Sequence, residues 1–124
     1  MTNDLDQAFI RIEQLVRQRA LPGVARATSN GTPALKVLDN SFAHLLDATT
    51  LVLQCPPDQK ALLMEISPDI YFETDPYVGQ PAVLIHLDAI TDEELSLRLE
   101  DAWFFESPPS LAMHRAPASP KAGD

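Results

Sequence analysis

Apolar positions at the start of the chain recur with a helical period. Leu5, Phe9, Ile12 and Val16 are spaced i, i+4, i+7 and i+11, with Leu15 widening the stripe, which predicts an amphipathic helix. Asp4 and Asp6 fall in its first turn and Arg17 and Arg19 at its end, as the helix dipole favours, and Leu-Pro-Gly-Val at 21–24 stops it. After a polar turn at Ser29-Asn30-Gly31 the period drops to about two. Thr32–Leu38 and Ser41–Asp47 read as strands around a turn at Asp39-Asn40, the second with Phe42, His44 and Leu46 on one face. A turn at Ala48-Thr49 leads to a third strand, Leu51–Cys55, and connections this short make the three an antiparallel meander.

Pro56-Pro57-Asp58 opens a second helix, which ends near Ser67 because Pro68 disfavours helical geometry before it. Ile70–Thr74 and Pro81–Leu87 read as a fourth and fifth strand joined by the loop 75–80, with Pro81 at the strand's opening or on an edge. Thr91-Asp-Glu-Glu94 fits a capping box, and Leu95, Leu99, Ala102 and Trp103 then line one face of a last helix. The predicted fold is therefore α+β, two-layer, in the order α-β-β-β-α-β-β-α, with helices on one face of an antiparallel sheet.

Composition sets the organisation. Of 124 residues, 45% are hydrophobic, enough for one core, so 1–107 is read as a single domain. Residues 108–124, rich in proline and alanine, read as a disordered tail. The N-terminus has no basic and apolar leader, no long apolar run spans a membrane, and Cys55 is the sole cysteine, so a cytoplasmic chain without a disulfide is expected.

The net charge of −9 argues against generic nucleic-acid binding, which rests on Lys and Arg neutralising phosphates. Its distribution is uneven: residues 1–37 carry five bases against three acids, the remainder four bases against fifteen acids. An anion would meet the first third of the chain.

No assembled chemistry stands out, and no cofactor or metal is expected. His44 and His86 lie on separate strands and His114 in the tail; with Asp47 or Asp88 the first two would bind a metal only if their strands were neighbours. Cys55 has no nearby base in sequence, the glycines are unclustered, and the acids at 92–94 suit a helix N-terminus. The loops at Gly31-Thr32-Pro33 and Tyr77-Val-Gly79 remain as ligand-facing candidates, with Lys36 near the first.

Leu-Pro-Gly-Val at 21–24, Gly-Thr-Pro-Ala-Leu-Lys-Val at 31–37, Pro-Tyr-Val-Gly at 76–79 and Glu-Glu-Leu…Leu-Glu-Asp-Ala-Trp across 93–103 resemble, in order and spacing, the MmcQ/YjbR family over about residues 5–107. The resemblance implies a two-layer α+β fold similar to secretion chaperones, no catalytic residues, and DNA binding through a double-wing arrangement of hairpins. It carries over Thr32, Lys36, Tyr77 and Gly79 as surface candidates, to which Arg26 is added as a base near the first hairpin. The expectation is a non-catalytic binding module with DNA as the named partner. The alternatives are a protein-interaction or adaptor domain, including a homodimer, and a small-molecule site around Lys36, His86 and Tyr77.

Overall fold

The computed structural model describes residues 4–29 and 31–107; the predicted tail lies outside them, as does His114. Its elements run α1 (Asp4–Arg19), β1 (Val24–Ser29), β2 (Thr32–Val37), β3 (Asn40–Asp47), β4 (Thr50–Gln54), α2 (Pro57–Ile66), β5 (Tyr71–Phe72), β6 (Ala82–His86) and α3 (Asp92–Glu106), with a short 3-10 turn at Asp75–Tyr77. The six strands form one antiparallel sheet in the order β1-β2-β3-β4-β6-β5. The fold is α+β, as expected, with one strand more than the hydrophobic pattern suggests. That strand, β1, is Val-Ala-Arg-Ala-Thr-Ser on a sheet edge, where little apolar alternation is needed.

α1 buries Phe9, Ile12, Leu15 and Val16. It ends where Ala20 turns left-handed at φ 54° and donates its N–H to the Arg17 carbonyl at 3.0 Å. α3 buries Leu95, Leu99, Ala102 and Trp103 as predicted. These stripes meet Leu35, Val37, Phe42, Leu45, Leu51 and Ile85 in the main core. A side chain of this kind, once buried, stabilises by about 1.5–3 kcal/mol. Trp103 is fully buried because its indole N–H reaches the Pro22 carbonyl at 2.8 Å. α1 and α3 are further joined by Arg19, which bonds Glu100 at 2.6 Å and Ser96 at 3.1 Å.

Two local expectations are corrected. The β2–β3 hairpin turns at Leu38-Asp39 rather than Asp39-Asn40, with Leu38 at φ 55°. Phe42 does not share a face with His44 and Leu46. Leu35 faces Ala43 while Lys36 faces Ser41, so Phe42 is the extra residue of a β-bulge and reaches the core beside Ala43. The alternation then restarts: Leu45 is buried, His44 lies half-buried on the opposite face, and Leu46 is exposed at a second irregularity.

On that opposite face one row crosses all six strands: Ala27, Ala34, His44, Val52, Leu84 and Phe72. Its far half is a second small core of Val52, Ala82 and Leu84 under Phe72 and Tyr77. Lys60 of α2, 5% exposed, fixes the covering segment: its ammonium donates to the carbonyls of Tyr77 at 2.7 Å and Gln80 at 3.0 Å and pairs with Glu73 at 2.7 Å. A buried ammonium is tolerable only with such partners.

Candidate functional site

The predicted site residues do not converge. Thr32 and Lys36 share one face of β2, whereas Arg26, opposite Leu35 in register, belongs to the helix face. Tyr77 and Gly79 lie by β5 and β6, at the far end of the sheet. Gly79 adopts φ +80° in a turn, with open space where a side chain would be. Arg26 and Lys36 point to opposite faces of the sheet, so they do not share one basic stripe.

The bases are largely committed within the chain. Arg11 pairs with Asp92 at 2.6 Å and caps the carbonyls of Leu87 and Ile90, both at 2.9 Å. Arg19 and Lys60 are paired as described, and Arg98 meets Asp101 at 3.3 Å. Arg26 lies over the Phe9 ring, 5.1 Å from its centroid, and pairs with Glu13 at 2.8 Å, yet its side chain remains 70% exposed. Among the described residues, Arg17 and Lys36 make no ion pair.

Groups with nucleophilic or acid–base character are separately housed. Cys55 is buried, and burial pushes its thiol up to about 11. Burial, then the neighbouring Glu94, raises the Tyr71 phenol. His44 is lowered by burial alone, and His86 stacks on Phe72 with centroids 4.0 Å apart. β4 separates the strands of His44 and His86, and among the described residues no group of three His, Cys, Asp or Glu side chains is placed to hold a metal.

A concavity of about 370 Å³ lies between the end of α1 and β1, and a shallower one of about 380 Å³ lies over the first turns of α3, beside Glu93, Glu94 and Arg98. The floor of the first is Val16, Leu21, Val24 and Leu35, and Arg17, Arg26 and Glu13 stand around it. β1 pairs with β2 alone, so its outer edge faces this groove region without a strand partner among the described residues. Sequence reading found Arg26 but missed the groove. Leu21 and Val24 look like helix-stop residues, and only the return of β1 beside α1 brings them together. Lys60 was missed too; its one sequence signal is a cation in the first turn of a helix, where the dipole opposes it.

A family profile described as YjbR matches residues 19–104. No curated protein matches the chain. Among solved structures it is similar to the crystal structure of Deinococcus radiodurans protein DR2400, described by the domain DUF419. The TM-score is 0.65 at 18% identity, covering 91% of each chain, a likeness of fold.

Proposed function

The chain belongs to the YjbR family, and from that premise we propose that it is a non-catalytic binding module engaging a protein partner along β1 and the groove beside it. The observation that carries this reading is the open β1 edge lying beside a concavity with an apolar floor and a charged rim, in the part of the sequence where bases outnumber acids. A catalytic reading finds less support, because Cys55 is buried, Tyr71 is bonded to Glu94 and the two strand histidines are held apart.

The test is site-specific photo-crosslinking of the full chain in its native cells, with the photoreactive residue at exposed Ala25 and, as control, at exposed Asp69 beyond α2. A protein adduct from Ala25 that is absent from Asp69 is expected. No protein adduct at Ala25, or equal adducts at both, would remove the proposal.

DNA is the second reading, favoured by the family resemblance and by Arg17 and Arg26 lining one groove. The internal pairing of Arg11, Arg19, Lys60 and Arg98 favours the protein partner instead. Titration with a mixed-sequence duplex separates the two: DNA affinity would fall steeply between about 50 and about 200 mM salt.

A further inference from the structure

We infer that the groove receives an extended peptide segment, an acidic residue flanked by aliphatic ones, laid along β1 as a seventh strand. This inference rests on the protein-partner reading above and narrows it to a class of ligand.

The edge comes first. β1 pairs with β2 over six consecutive positions without a bulge, from Val24 opposite Val37 to Ser29 opposite Thr32. Protected edges are short, bulged or guarded by proline and lysine. β1 has none of these, and its one charge, Arg26, belongs to the face packed against Phe9 and Glu13. The opposite edge, β5, has two residues. An added strand points alternate side chains to opposite faces. On the helix side they would meet Val16, Leu21, Val24 and Leu35, and on the other the small Ala25 and Ala27, with Lys36 across from Ala25.

Charge selects the occupant. Around the groove stand Arg17 and Arg26 against Glu13, a local excess of positive charge in a chain of net −9. An acidic side chain entering here gains attraction, and a basic one is repelled. A second copy of the chain fits worse. Antiparallel pairing of β1 with itself in the register centred on Arg26 sets that residue beside its own counterpart, a destabilising like-charge pair.

The experiment is selection from a random-peptide display library against the immobilised full chain. Enriched sequences should carry Asp or Glu at a fixed position with Val, Ile or Leu two residues away on either side. One such peptide, synthesised, should shift the backbone amide resonances of residues 24–29. It should bind at least about tenfold more weakly to the Arg17→Glu/Arg26→Glu double variant and, less severely, to Arg17→Gln/Arg26→Gln. Both substituted side chains are exposed, so the variants should keep the wild-type circular dichroism. A backbone N-methylated version, unable to complete the ladder, should not bind. Enrichment of basic peptides, amide shifts confined to other elements, or a stable dimer in sedimentation would overturn the inference. An empty selection alongside a protein adduct at Ala25 would overturn the peptide ligand and leave the partner reading standing; an empty selection without that adduct would remove both.

Discussion

Tyr71 donates its hydroxyl proton to Glu94 over 2.5 Å, tying the start of β5 to the first turn of α3. The Thr91 cap keeps only its forward bond, from the Glu94 N–H to the Thr91 hydroxyl at 3.2 Å, because the Glu94 carboxylate is engaged with Tyr71. Removing the phenol strands a half-buried carboxylate. Tyr71→Phe should therefore destabilise by about 1–3 kcal/mol, with Glu94→Gln nearer 1 kcal/mol because an amide oxygen still accepts. Urea denaturation checks this, and a Tyr71→Phe loss inside measurement error would refute the assigned bond.

Alkali should weaken the fold through Cys55. Its thiol, pushed up to about 11 by burial, holds its proton in the folded state after the unfolded chain has released it. The stabilisation from this group is whole below the ordinary thiol value near 9 and disappears as pH climbs to about 11. Its size is on the order of 2 kcal/mol. Tyr71, raised in the same direction, adds further loss above the ordinary phenol range. Guanidinium unfolding of wild type and Cys55→Ala between pH 8 and pH 11 should show a steeper decline in the wild type; parallel curves would contradict the burial argument.

Lys60 should behave as a clamp. Lys60→Ala leaves Glu73 and two loop carbonyls without their common donor and should lower stability by about 3–5 kcal/mol. Lys60→Met keeps the volume and should recover part of that loss. In both variants amide exchange should accelerate over residues 73–81, the segment covering Val52 and Leu84, before it accelerates in the main core. Uniform acceleration would show that the loop is held by other means.

The β2–β3 hairpin carries removable strain. Leu38 takes φ 55° at the first central position of a two-residue turn and is half exposed, where glycine is normally preferred. Leu38→Gly should raise the unfolding midpoint, with a gain of a few tenths to about 1 kcal/mol after the extra chain entropy is counted. Leu38→Val should lower it, since branching at Cβ worsens the left-handed conformation. If glycine destabilises, Leu38 makes a contact worth more than its strain.

What could be read from the sequence follows from periodicity and local chemistry. The stripes of α1 and α3 were legible because burial of Phe9, Ile12, Leu99 and Trp103 requires helical spacing. Pro57 marked the start of α2, and Thr91 its cap on α3. β1 was not legible, because an edge strand of small residues has no buried face to betray it. Nor was the exchange of faces at Phe42, since a bulge breaks the period on which the reading relies. The groove escaped for a third reason: it joins α1 to β1 through an edge pairing that no local pattern announces.

The two ends of the sheet differ in a way that bears on assembly. A two-residue β5 offers almost nothing for a neighbouring chain to extend. Whatever joins at β1 therefore meets a terminus at the other side, so stacking from molecule to molecule stops after one step. The fold can accept a strand without becoming the seed of a fibre.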